Sequence, residues 1–192
     1  MRIAIIAHHR SGSNSISQWL SMELGYKWIT EPYNMDDEYW NHDKEERHQN
    51  SLINNNIVVK YIYGQFTDSK QIIEIIKSFD KLIILTRDNV RECAISSLYT
   101  KVTNKYHDKY VLNIDWLNKN ENQIEEEMYN INITNNKLKN IKEGLQITYE
   151  GIFETKEDIA KLKDYLKLSE LRYDNFIDKK NKYTNTKREK LL

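Results

Sequence analysis

Arg2-Ile3-Ala4-Ile5-Ile6-Ala7-His8-His9-Arg10-Ser11-Gly12-Ser13-Asn14-Ser15 is the stretch that decides the fold. Residues 2–7 are an apolar run of strand length, Arg, Ser and Gly follow, and then Ile16, Trp19, Leu20 and Leu24 recur on one helical face. A strand, a short loop and a helix N-terminus in that order make an anion cradle. Unpaired backbone N–H groups and the positive end of the helix dipole point at the same spot. Ser11, Ser13 and Ser15 add hydroxyls, Gly12 lets the backbone approach a ligand closely, and Arg10 brings a fork of donors suited to phosphate oxygens. The plainer reading is a helix capped by Ser13 or Asn14, with Arg10 in solvent.

Outward from this stretch, residues 57–63, 81–86 and 145–149 repeat the strand signal of residues 3–7, each rich in Ile, Val, Leu or Tyr. Helical patterns occupy residues 13–24, 69–79 and 89 to about 106. Leu117, Ile124, Met128, Ile131 and Leu138 predict a long amphipathic helix, which the Asn-rich residues 132–136 are placed to break. Ile159, Leu162, Leu166 and Leu168 mark another helix, capped by Thr155 with Asp158 three residues on. Strands alternating with helices predict an α/β fold: a three-layer domain with a central, mostly parallel sheet flanked by helices. One domain across residues 1–192 is expected, with a flexible basic tail at 178–192. The polar segment 36–56 reads as a short helix with a loop, or as a lid.

Lys and Arg number 29 and Asp and Glu 29, so any anion site is local and global attraction to nucleic acid is not expected. The single cysteine, Cys93, excludes an internal disulfide framework and a cysteine-based zinc site, and the histidine spacing proposes no metal. A strand beginning at once, with no apolar run of membrane length, predicts a cytoplasmic protein without leader or integral membrane segment.

A second basic segment ends the strand at 81–86: Thr86-Arg87-Asp88-Asn89-Val90-Arg91-Glu92-Cys93-Ala94-Ile95-Ser96. Ligands of open α/β sheets sit at the carboxyl ends of the strands, so Arg87 and Ser96 make a pocket for a terminal phosphate. Alternatively Arg87 and Asp88 are a local ion pair at a helix cap. Lys60 interrupts the apolar run at 57–63, either reaching the cradle or snorkelling from an edge strand.

Together these segments resemble the two cofactor motifs of the sulfotransferases that use 3′-phosphoadenosine 5′-phosphosulfate (PAPS). Arg10-Ser11-Gly12-Ser13-Asn14-Ser15 resembles the 5′-phosphosulfate loop R-S-G-S-T, with Asn14 in place of Thr. Arg87-Asp88-Asn89 with Ala94 and Ser96 resembles the 3′-phosphate motif R-D-N-x-x-x-x-A-x-S of bacterial glycolipid and carbohydrate members. Tyr149-Glu150-Gly151-Ile152 resembles Y-E-D-L with Gly for Asp, and Glu31-Pro32-Tyr33-Asn34 resembles E-P-F-N. The resemblance implies a P-loop-like core and transfer of a sulfuryl group from PAPS to a hydroxyl of a sugar, glycolipid or small metabolite, releasing adenosine 3′,5′-bisphosphate. It also implies that Arg10 to Ser15 hold the 5′ end while Arg87 and Ser96 hold the 3′-phosphate. Arg10 receives the charge that gathers on the leaving group.

For the acceptor proton, Glu31 is the first base, with Pro32 holding it extended. His9 and His8 border the loop as the second choice, or serve only as strand-end packing. Trp28, Tyr33, Tyr39 and Trp40 stack on a flat acceptor or pack inside, and His42, His48 and His107 are solvated. Two alternatives stand beside the enzyme: an inactive nucleotide binder of the same fold, and a small-molecule kinase. Against the kinase stands the missing G-x-x-x-x-G-K-[ST], which leaves no loop lysine for β/γ-phosphates.

Overall fold

In a computed structural model, residues 1–34, 44–53, 55–103 and 114–168 are described. The chain runs β1 (Arg2–Ala7), α1 (Ser13–Leu24), β2 (Lys27–Thr30), α2 (Lys44–Leu52), β3 (Ile57–Ile62), a 3-10 turn (Tyr63–Gln65), α3 (Ser69–Ser78), β4 (Lys81–Thr86), α4 (Val90–Thr103), α5 (Ile114–Lys119), α6 (Glu121–Lys139), β5 (Leu145–Thr148), α7 (Tyr149–Phe153) and α8 (Glu157–Leu166). The sheet is five-stranded, ordered β2-β3-β1-β4-β5, and every pairing is parallel.

The near-continuous apolar runs of β1, β3 and β4 are what a sheet covered on both faces requires. Ile3, Ile5, Val58, Ile83 and Leu85 meet Trp19 and Leu20 of α1 and Leu162 and Leu166 of α8 on one face. Ala4, Ile6, Val59, Tyr61 and Ile84 meet Ile75 of α3 and Leu138 of α6 on the other. A third cluster joins Cys93, Ala94 and Leu98 of α4 to Ile124 and Ile131 of α6. The strand order reverses at β1, so the crevice at its carboxyl end, flanked by β3 and β4, is where this topology holds a ligand.

Several expectations change. The sheet gains β2, a four-residue strand whose Lys27 and Trp28 are exposed, too short and too polar on one face to announce itself. That strand makes β3 internal, so Lys60 does not snorkel from an edge; it is 2% exposed. The long helix divides before Glu121 and runs unbroken through residues 132–136, because Asn135 is buried and donates to the Arg87 carbonyl at 3.1 Å. Lys156, at φ 64, and not Thr155, precedes α8, and no side chain caps it. Asp158 instead turns back to accept from the Thr148 N–H at 2.8 Å. The aromatic and histidine positions 39, 40, 42 and 107, part of the 36–56 segment and the tail 178–192 lie outside the described residues.

Candidate active site at the carboxyl ends of β1, β3 and β4

Gly12, not Ser13 or Asn14, caps α1; it sits at φ 81 and no side chain closes the helix start. The N–H groups of Ser13 and Asn14 therefore receive no side-chain acceptor from the cap, while the Ser15 N–H donates to the Gly12 carbonyl at 3.0 Å. A Cβ on Gly12 would stand 2.5 Å from Tyr149 Cδ2, so this position needs glycine for its backbone angle and for the ring against it. Ser11 is fully buried and its hydroxyl donates to the His8 carbonyl at 2.6 Å, which holds the loop's curl.

Arg10 also takes a left-handed backbone, φ 61, and its side chain is not in solvent: Nε donates to Ser96 Oγ at 2.9 Å. Arg87 Nη1 in turn donates to the Arg10 carbonyl at 3.0 Å. The two sequence motifs are thus latched to each other. Arg87 is 8% exposed and lies 4.3 Å over the Tyr149 ring. Its ion pair is with Glu92 at 2.9 Å, with Glu150 at 3.9 Å behind, and not with Asp88, which faces Lys139. Burial lowers the guanidinium, and Glu92 leads the neighbours that more than restore it, so Arg87 stays charged above its ordinary value. Asn89 caps α4 by accepting from the Glu92 N–H at 3.1 Å, while Glu150 takes the N–H groups of Asp88 and Asn89 at 2.9 and 3.0 Å.

Lys60 closes the third side. Its ammonium donates to Asn14 Oδ1 and to Glu31 Oε1, and Gln65 Nε2 donates to Glu31 Oε2 at 2.7 Å. Asn14 thus has a partner that its longer side chain reaches from the loop. Glu31 is left-handed, φ 49, rather than extended, because its N–H donates to the Lys60 carbonyl at 2.8 Å and its own carbonyl accepts from Asn34 in a tight turn. Two non-glycine residues with positive φ in one site store strain of about 1–3 kcal/mol each, held by these contacts. Burial would raise the Glu31 carboxyl; Lys60 and the two hydrogen bonds overcome that and hold it below the ordinary value.

His9 is exposed at the rim beside Gly64, and loss of solvent there still puts it below the ordinary imidazole value. His8 is buried, donates from Nδ1 to the His9 carbonyl and is lowered by burial. Cys93 is buried with its thiol pushed up to about 12, which makes it inert. Tyr33 and His48 are both buried, stacked at 5.2 Å, with His48 Nδ1 2.9 Å from the Tyr61 hydroxyl; neither is a solvated or acceptor-facing group. Trp28 remains half-exposed and donates to Ser17 Oγ at 3.0 Å. Sequence reasoning missed the roles of Glu92 and Glu150. Glu150 lay inside a quoted motif; Glu92 gave no signal beyond its place three residues after a cap.

The five-stranded parallel sheet, its order and the cradle after β1 define a P-loop-like three-layer α/β fold. No protein-family model and no curated protein matches the sequence. Among solved structures, mouse sulfotransferase SULT7A1 complexed with PAP superposes with a TM-score of 0.57 at 14% identity, covering 93% of this chain and 61% of that one. The chain therefore spans less than two thirds of that enzyme's length, and at this identity the likeness is one of fold: P-loop sulfotransferase-like. Shikimate kinase from Aquifex aeolicus is matched at a TM-score of 0.46 and 14% identity, over 87% of this chain and 96% of that one. The YorR protein of Bacillus subtilis, in complex with phosphorylated GDP, is matched at 0.44 and 15%, over 86% and 95%. Among the described residues no helix is long and apolar enough to cross a membrane.

Proposed function

We propose that the chain is a sulfotransferase moving the sulfuryl group of PAPS to a hydroxyl of a sugar, glycolipid or small metabolite. The observation that carries this reading is the Arg10 latch. Arg10 joins the loop before α1 to Ser96 of α4, while Lys60 donates both to Asn14 on the first turn of α1 and to Glu31. The donor set suits the cofactor: an α1 N-terminus with no side-chain cap, with Arg10 beside it and the Lys60 ammonium hydrogen-bonded to its Asn14. Bound there, PAPS supplies an activated sulfuryl group whose departure leaves adenosine 3′,5′-bisphosphate.

In this reading Gly12, Ser13 and Asn14 contribute N–H groups at the α1 start to the 5′ end, Ser15, whose N–H donates to the Gly12 carbonyl at 3.0 Å, offers its hydroxyl, and Ser11 shapes the loop. Arg10 and Lys60 stabilise negative charge gathering on the leaving side, the electrostatic contribution that dominates in-line transfers. Arg87 and Ser96 hold the 3′-phosphate. Glu31 accepts the acceptor's proton; each of its oxygens carries one hydrogen bond in this structure and keeps a second lone pair. His9, exposed at the same rim, is the alternative base.

Lys60 also revives the kinase reading, because a lysine does stand at the cradle, delivered by β3 rather than by the loop. Calorimetric titration with adenosine 3′,5′-bisphosphate and with ATP separates the two. The bisphosphate is expected to bind more tightly, and transfer of labelled sulfate from PAPS to an acceptor panel then separates enzyme from inactive binder. Tighter binding of ATP would replace the donor, and no binding of either would remove the nucleotide site.

A further inference from the structure

Two of the three guanidinium nitrogens of Arg87, assigned to a 3′-phosphate, are already answered by the chain's own acceptors. Arg87 is fixed from three sides: its carbonyl by Asn135, its Nη1 by the Arg10 carbonyl, its flat face by the Tyr149 ring. Its Nη2 meets Glu92 at 2.9 Å, its buried Nε stands 3.9 Å from Glu150 without a hydrogen bond, and the α4 start that would favour a phosphate is taken by Glu150. One cation thus faces two carboxylates, an arrangement that repels an incoming dianion.

The two carboxylates differ in how they are held. Glu150 is 17% exposed and fastened by two backbone N–H groups. Glu92 is 37% exposed, on the first turn of α4, and its carboxylate is held by Arg87 and by Asn89 Nδ2 at 3.2 Å. Its backbone cap, from Asn89 Oδ1, does not depend on where the carboxylate points.

We propose that Glu92 is a specificity-determining residue of the donor site: its carboxylate occupies the Arg87 fork as an internal stand-in for a 3′-phosphate, and a nucleotide gains the 3′ contact only by displacing it. This rests on the donor reading above. Glu92 then sets the margin by which a 3′-phosphorylated nucleotide is preferred over one with a free 3′-hydroxyl. Arg87 does not have to move, because displacing Glu92 uncovers a guanidinium that is already oriented.

Glu92→Gln keeps the volume and the cap and removes the charge. The full chain and this variant are titrated with adenosine 3′,5′-bisphosphate and with adenosine 5′-monophosphate. The variant is expected to bind the bisphosphate about tenfold more tightly, a change of about 1.4 kcal/mol, with the monophosphate within about twofold. Adding Arg87→Ala to the variant is expected to abolish the gain. Equal bisphosphate affinity in the two proteins overturns the role of Glu92 while leaving the donor reading intact. Weaker monophosphate binding by the variant also overturns it, since Glu92 would then be accepting from ribose hydroxyls. If neither folded protein binds the bisphosphate, the donor reading falls and this inference with it.

Discussion

Lys60 places a charge where β3 otherwise buries apolar side chains, and Glu31 is what makes that tolerable. A buried ammonium is costly unless paired, and removing one partner of such a pair costs about 3–5 kcal/mol. In the proposed reading the same pair sets the base: Lys60 and the two hydrogen bonds hold the Glu31 carboxyl below its ordinary value against its burial. His9, beside Glu31, and Arg10, beside Lys60, are the ionisable groups around this pair. Glu31→Gln is expected to slow sulfate transfer by roughly 10²–10⁴, with bisphosphate affinity within about twofold. Lys60→Met leaves Glu31 with the burial that raises it and without the charge that lowers it. The acid limb of the pH–rate profile is then expected to move upward; an unmoved limb would mean that another group, His9 first, titrates there. The charge at position 60 was visible in the sequence, but its partner was not. Only the short β2 puts β3 inside the sheet and sets Thr30 opposite Lys60, bringing Glu31 to its ammonium.

At the turn from β5 into α7, Gly151 departs from Y-E-D-L for a steric reason. A Cβ there would stand 2.0 Å from Asp158 Oδ2 and 2.8 Å from Thr148 Oγ1. The Asp158 carboxylate cannot withdraw without leaving the Thr148 N–H it accepts from, and Thr148 Oγ1 caps α7 through the Gly151 N–H at 2.8 Å. Gly151→Ala is expected to destabilise the fold by about 1–3 kcal/mol, read as a lower urea midpoint with unchanged slope. Combined with Asp158→Ala, the loss should be less than the sum of the two, because both changes act on one contact. Elements with a strong period were legible: α1 was expected at its observed residues, and β4 likewise. What failed was local chemistry that depends on distant chain. Residues 132–136 read as a breaker, yet Asn135 is satisfied by the Arg87 carbonyl, 48 residues away. Thr155 read as a cap, yet Asp158 serves β5.

Across the whole molecule, His8 and His48 are buried and held below 6.5 by loss of solvent, with Glu74 opposing this at His48 and Glu127 at His8. The folded chain therefore binds fewer protons than the unfolded one between the folded values and 6.5. Stability from these groups is complete above the unfolded value and declines as pH falls toward the folded ones. The urea midpoint is expected to drop between about pH 7.5 and 5.5, and to drop less in His48→Gln, which takes up no proton; equal drops would place the sensitivity elsewhere. Glu31 and Glu127, both lowered by cationic partners against their burial, extend the loss further into acid. The Tyr149 ring, wedged between Gly12 and Arg87, has a consequence in time rather than in energy. Gly12 is synthesised well before the Tyr149 ring that packs against it, which follows β5 at the start of α7. A chain halted before residue 145 would carry residues 10–15 and 87–96 in full and lack the ring that packs on both Gly12 and Arg87, so in the proposed reading the donor site is completed only when α7 follows the fifth strand.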